Sequence, residues 1–288
     1  MQSREKGEPG GKVSRRTALK TGAVGLVGAQ CAAAMAEALT NNPFAPLKVG
    51  VHSYSLRKFP FPEAVRITKE LGVRYLSLNP LHLPLESTPE QCAEAKRLLE
   101  TAGITVLGCG VVQFTTDEAA ARQAFGFART MDMRVIAGNP APESFDLLDK
   151  LVEEYGIPIA IHNHGPEGIY SVPEDSLKVF RSHHKLIGAC VDVGHYERSG
   201  IKAAEALRAL SERLYDVHLK DVNRRDRAGH AVVMGEGVID LDAVADVLLE
   251  LKFEGHVALE YEAEPESPQA SMAKSLAYFR EILTRKNR

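Results

Sequence analysis

The sequence predicts a single (β/α)₈ barrel of the TIM type over residues 39–288. Two patterns carry the prediction. Eight short β-rich runs alternate with eight longer stretches of helical period, and glycine closes several of those stretches just before the next run. A chain of 288 residues also fits a barrel of this kind in one domain. The expected strands are Lys48-Val51, Tyr75-Leu78, Thr105-Gly108, Arg134-Ala137, Ile159-His162, Ile187-Val191, Leu214-Leu219 and Val257-Tyr261. The expected helices are Pro62-Leu71, Pro89-Ala102, Asp117-Met131, Pro142-Tyr155, Glu174-Ser182, Ile201-Arg213, Leu241-Leu251 and Ser267-Leu283. Each has an apolar face, as Ala243, Val247, Leu248 and Leu251 illustrate. Leu71-Gly72, Ala102-Gly103 and Tyr155-Gly156 are the helix-ending joints. An open doubly wound sheet is the structural alternative, but no G-x-G-x-x-G follows the first strand, which removes the signature of a dinucleotide fold.

Composition narrows the function. A hydrophobic share of 44% and a charged share of 25% are ordinary for a globular chain. A formal charge of −3 supplies no field to attract a polyanion, so nucleic acid is not an expected partner. Cys31, Cys92, Cys109 and Cys190 contain no C-x-x-C pair, which leaves neither a zinc knuckle nor a dense disulfide framework. Ordinary buried thiols are expected.

Residues 1–38 read as an address rather than as fold. A positively charged opening leads to Ser14-Arg15-Arg16-Thr17-Ala18-Leu19-Lys20 and then to a weakly apolar, alanine-rich run. This segment resembles a twin-arginine export signal, with Ala18 where a Phe is usual. Gly22, Gly25 and Gly28 make it a poor membrane helix, so no stable membrane span is expected. Small-x-small patterns place cleavage after Ala34, Ala36 or Ala38, which starts the mature chain near Leu39. The resemblance implies the twin-arginine export machinery as a partner and a periplasmic or otherwise exported location.

Function in a barrel of this type sits at the C-terminal ends of the strands. Four strands here run into polar residues there: Ile161-His162-Asn163-His164, Val191-Asp192-Val193-Gly194-His195, Val217-His218-Leu219-Lys220-Asp221 and Leu259-Glu260-Tyr261-Glu262. Taken singly, each ending is as well read as a hydrogen-bonded structural residue. Together they supply two imidazoles and two carboxylates, a mixed N/O donor set suited to one divalent ion of Mn, Zn, Co or Fe, with Mg also admitted. His52 and Tyr54 after strand one, and Asn79 and His82 after strand two, read as pocket wall.

From Lys48 to Leu283 the chain resembles the xylose-isomerase-like superfamily of sugar-phosphate isomerases and epimerases. The residues that carry the likeness are Val191-Asp192-Val193-Gly194-His195, Val217-His218-Leu219-Lys220-Asp221, Gly235-Glu236-Gly237 with Ile239-Asp240, and Ala258-Leu259-Glu260-Tyr261-Glu262. The resemblance implies a metal held by Asp192, His218 and Glu260, with His195 and Arg224 facing a sugar. The family's fourth ligand is usually a strand-five Glu; here His162 stands in that place, with His164 as the alternative because strand alternation permits both.

The expected chemistry is removal of a C–H proton beside a sugar carbonyl, through an enediolate stabilised by the metal. Proton return gives isomerisation or epimerisation; loss of a β-substituent gives a lyase, which the missing strand-five Glu favours. The expected roles are His164 as acid or base, His195 against the sugar, Lys220 at the developing oxyanion, Glu260 as ligand and proton carrier, and Tyr54 and Arg224 as substrate contacts. A small carbohydrate is the expected ligand, with a homo-oligomer allowed. A non-catalytic carbohydrate-binding barrel is the second reading. An apurinic-site endonuclease is the third, from Asp226-Arg227 ahead of Met234-Gly235-Glu236-Gly237, although Ala228 stands where that loop carries a second metal-binding His.

Overall fold

The computed structural model describes residues 42–287; the twin-arginine-like segment, its cleavage positions and Cys31 lie outside them. The barrel unit begins at Phe44. Eight parallel strands form a closed barrel. In chain order the strands are β1 (Lys48–His52), β2 (Tyr75–Leu78), β3 (Thr105–Phe114), β4 (Val135–Pro140), β5 (Ile159–His162), β6 (Ile187–Asp192) and β7 (Leu214–Leu219), then a side hairpin of β8 (Asp221–Val222) and β9 (Ala231–Val232), and β10 (His256–Leu259). Closure comes from β10 pairing in parallel with both β7 and β1, with Val51 opposite Leu259.

Local chemistry sets the helix ends. The helices are α1 (Phe61–Glu70), α2 (Pro89–Ala102), α3 (Glu118–Thr130), α4 (Phe145–Tyr155), α5 (Pro173–Ser182), α6 (Val193–Arg198), α7 (Ala203–Ala209), α8 (Leu241–Glu250) and α9 (Gln269–Lys286). Helix α2 starts with a reciprocal cap in which Thr88 N–H donates to Gln91 Oε1 and Gln91 N–H to Thr88 Oγ1. It stops at Gly103, whose φ of 72° a side chain would resist. Asp117 caps α3 by accepting the Ala120 N–H, and Asp240 caps α8 by accepting the Ala243 N–H. The apolar faces of the helices pack on the outside of the barrel, while Val135, Ala137, Ala160 and Cys190 form a separate small-residue cluster with Tyr215 against it.

Two expectations need correction. The helix anticipated over Ile201-Arg213 is α7 followed by a 3₁₀ turn, Ser211–Arg213. An unanticipated helix, α6, precedes it because Asp192 accepts the His195 N–H and nucleates a turn directly at the end of β6. Strand β3 also runs to Phe114 rather than stopping at Gly108, with a shifted register against β4 between Cys109 and Val112. Cys92, Cys109 and Cys190 are free and buried. Among the described residues no helix is long and apolar enough to cross a membrane.

The loop after β7 is folded around one carboxylate. Asp221 accepts the backbone N–H groups of Val222, Gly235, Gly237 and Ile239 at 2.8–3.1 Å. A Cβ on Gly237 would fall 2.2 Å from Asp221 Oδ1, so glycine is what lets the turn close. Gly235-Glu236-Gly237 is therefore a turn wrapped around Asp221. Replacing Asp221 by Ala strips the acceptor from several N–H groups that the fold holds away from water, each worth about 1–3 kcal/mol when left unpaired. Asp221→Ala is expected to lower unfolding free energy by about 3 kcal/mol or more in urea titration, and a loss under about 1 kcal/mol would contradict the clamp.

Candidate metal centre and active site

Four buried side chains from successive strands meet at the C-terminal mouth of the barrel. His162 ends β5, Asp192 ends β6, His218 lies in β7 and Glu260 follows β10. One potential ligand atom from each lies within 4.8 Å of all the others. His162 Nε2 is 3.0 Å from His218 Nδ1 and 3.5 Å from Asp192 Oδ2, and His218 Nδ1 is 3.1 Å from Glu260 Oε2. Donor atoms at bond lengths near 2.1 Å around a tetrahedral ion stand about 3.4 Å apart, so these separations match an ion-sized centre.

Chemistry supports the same fit. Two imidazole nitrogens facing each other at 3.0 Å can share at most one proton, whereas a cation accepts both lone pairs. The outer nitrogens, His162 Nδ1 and His218 Nε2, have no hydrogen-bond partner among the described residues. Asp192 Oδ2 is buried and accepts no well-directed hydrogen bond, although Lys220 Nζ lies 2.9 Å away. Cys190 is also within reach of the two histidines. Burial, with the charges of Asp216, Asp192 and Glu260, pushes its thiol well above the usual range, which makes it a poor ligand beside two carboxylates.

The surrounding charges are tightly organised. Burial pushes the Glu260 pKa up, but Lys220, His218 and His52 outweigh it and hold the carboxyl well below its usual range. Asp192 is likewise raised by burial and pulled down further by His195, Lys220 and His162. Lys220 Nζ lies 3.0 Å from Glu260 Oε2 and 2.8 Å from Glu262 Oε2. Burial disfavours its charge, yet Asp192, Glu260 and Glu262 together raise its pKa well above normal, so it is a fixed ammonium. His52 Nδ1 is 2.8 Å from Glu260 Oε1 and its Nε2 is 3.1 Å from the Gly110 carbonyl. Its pKa is raised because Glu260, Asp216 and the Gly110 carbonyl outweigh the burial that lowers it.

His164 sits outside the four-residue group, its ring 4.8 Å from that of His162 and 5.5 Å from that of His195. Burial, then the neighbouring His162 and His195, lower its pKa to about 4. His195 is lowered chiefly by burial, opposed by Asp192. It borders two cavities, one of about 260 Å³ with Lys220, Arg198, His230 and Glu262, the other of about 300 Å³ with His164, Arg198 and Arg227.

Arg224, expected against the sugar, lies elsewhere: it is exposed, paired with Asp226, and lines neither cavity. A two-residue ion pair within its own loop turns it outward, and Arg198 of α6 occupies the cavity wall instead. Tyr54 stays at the rim with Arg57 stacked 4.7 Å from its ring, also outside both cavities. Asn79 Nδ2 donates to the Gly110 carbonyl, and His82 lies against the Ser53 hydroxyl and the Leu56 and Phe59 carbonyls. Three contributors went unmarked in sequence. His52 was read as wall and is a direct partner of Glu260. Asn163 clasps the Asp192 backbone through two hydrogen bonds of 2.7 and 2.9 Å. Arg198 was signalled only by the three-residue spacing Asp192, His195, Arg198, which places side chains along one helix face.

A closed barrel with a buried His-Asp-His-Glu cluster at the strand ends has the donor set that could hold one divalent ion. The sequence model of the xylose isomerase-like TIM barrel family matches residues 65–282, and the chain belongs to that family. It is 23% identical over 206 residues to an inosose dehydratase of Bacillus thuringiensis (strain Al Hakam), covering 63% of this chain and 65% of that protein. A second inosose dehydratase, from Clostridium botulinum (strain Alaska E43 / Type E3), is 28% identical over 146 residues, 46% of this chain and 47% of the other. The chain thus spans about half the length of several of the curated relatives it matches. Among solved structures, the IolI protein with a bound zinc atom superposes with a TM-score of 0.69 at 18% identity, covering 83% of this chain and 99% of that one. An L-ribulose 3-epimerase gives 0.66 at 16% identity, covering 84% and 97%.

The histidine pKa values make a pH prediction. His164 and His218 are held near 4 in the fold, against about 6.5 in an unfolded chain. Below about 6.5 the unfolded chain binds protons that these buried rings refuse, so stability is full above that pH and falls as pH drops toward 4. Urea unfolding of metal-free protein should show this decline, and a flat profile between pH 6.5 and 4.5 would contradict it.

Proposed function

We propose that this chain is a divalent-metal-dependent enzyme that enolises a sugar or oxidised sugar, acting as an isomerase, epimerase or carbon–oxygen lyase. The observation that carries the reading is the buried His162, Asp192, His218 and Glu260 cluster, with His164 and His195 packed against His162 and Lys220 against Asp192 and Glu260, three residues that line the adjoining cavities. Relatives named as inosose dehydratases and an epimerase of the same fold support the reaction class. When bound by these four residues, a divalent ion would supply Lewis-acid stabilisation of the enediolate charge.

The protein's own groups divide the remaining work. His164 is neutral at physiological pH, borders the 300 Å³ cavity, and so can accept a C–H proton. Lys220 is a fixed ammonium whose three N–H donors face Asp192, Glu260 and Glu262, so it holds those carboxylates ionised and could turn to a developing oxyanion only by giving one of them up. Glu260 has Oε1 engaged by His52 and Oε2 by His218 and Lys220. That leaves it poorly placed to carry protons, which the resemblance had assigned to it. One mobile base favours elimination over the two-base proton exchange of an epimerase. The proposal extends to location: an exported chain whose metal is loaded before it leaves the cytoplasm.

The test is solvent deuterium exchange, with product analysis, on protein starting at Leu39, loaded with Mn²⁺ or Zn²⁺ and offered keto-inositols, ketoses and oxidised sugars. Exchange or dehydration that needs metal and falls about 100-fold or more in His164→Ala is the expected result. Carbohydrate binding without any exchange would replace the enzyme by a non-catalytic binding barrel.

A further inference from the structure

The cations facing the two cavities are not equivalent. Lys220 is neutralised by Asp192, Glu260 and Glu262. Arg227 is paired with Glu167 at 2.7 Å. Arg198, which borders both cavities, touches only neutral acceptors. Its Nη1 donates to His195 Nδ1 at 3.3 Å and its Nη2 to the Arg227 carbonyl at 3.1 Å. Its Nε is buried without a hydrogen-bond partner among the described residues. Arg198 is half-buried and has no carboxylate beside it, so an incoming anion would supply the partner that its guanidinium lacks.

The surroundings leave room for such an anion. Gly165 faces the guanidinium, where a Cβ would lie 3.5 Å from Arg198 Cζ, and Gly229 lies against the stem, where a Cβ would fall 3.1 Å from Cγ. Arg198 also sets the state of His195: by donating to Nδ1 it leaves the His195 proton on Nε2. The charge to be matched is a single one, because Glu262 already lines the 260 Å³ cavity and disfavours a dianion there.

We propose that Arg198 binds the carboxylate of an acidic substrate, so that the site takes sugar acids in preference to neutral sugars. The planar guanidinium fork suits a carboxylate, and the short reach from Arg198 through His195 to the metal cluster suits a compact sugar acid. This inference rests on the proposed function, in that the reacting end of the substrate is taken to lie at His162, Asp192, His218 and Glu260.

The experiment is calorimetric binding of matched pairs, D-glucose with D-glucuronate and D-galactose with D-galacturonate, plus glucose 6-phosphate, to protein from Leu39 with and without added Zn²⁺. The unaltered chain should prefer each uronate to its neutral partner by at least about tenfold, a preference that weakens with salt. Arg198→Met should abolish that preference while leaving metal uptake in place, and Arg198→Lys should restore part of it. A preference that survives in Arg198→Met, tighter binding of the phosphate, or no uronate binding at millimolar concentration would each overturn the proposal. If zinc is not bound yet the Arg198-dependent preference remains, the metal-enzyme reading fails and the carboxylate assignment stands.

Discussion

Glu260 is 5% exposed and ionised, a state that costs several kcal/mol unless partners replace the lost water. His52, His218 and Lys220 replace it, and each comes from a different turn of the same constraint. His52 ends β1, His218 lies in β7 with Lys220 just past its end, and β10 lies between those strands. The residue at the end of β10 can therefore be a carboxylate only because the barrel closes. An open sheet with the same strands would leave Glu260 with partners on one side only.

That arrangement propagates outward. Lys220 reaches the carboxylates across Gly194, where a Cβ would meet its stem at 2.6–2.7 Å. Gly194 lies in the first turn of α6, which Asp192 caps through Oδ1 while Oδ2 faces the cluster. One carboxylate thus joins the start of a helix to the centre. Asn163 fixes the same strand end from β5, and Asp221 gathers the loop beyond Lys220. The same helix presents His195 and Arg198 to the cavities, so the substrate wall and the ligand set share an origin in Asp192.

Much of this was legible because buried strands are apolar runs, and a His or acid at the end of such a run stands out. His162, Asp192, His218 and Glu260 were visible for that reason, as was the alternation that closes the barrel. The choice between His162 and His164 was not legible, since strand alternation puts both on one face; only the coordinates show His162 in the group and His164 beside it. Arg224 misled because the eight-residue loop from Asn223 to His230 can turn either way, and the nearby Asp226 captures it. Helix α6 was hidden because six residues starting at a strand end carry too little periodicity to be separated from the strand.

The account rests most directly on the claim that His162, Asp192, His218 and Glu260 hold one divalent ion. Anomalous diffraction from crystals of protein starting at Leu39, grown with Zn²⁺ or Mn²⁺, measures it without any knowledge of the substrate. One peak at the barrel mouth, bonded to those four side chains and lost in His162→Ala but kept in His164→Ala, is the result the account predicts. No peak there, with Lys220 still seated between Asp192 and Glu260 at saturating metal, would contradict it.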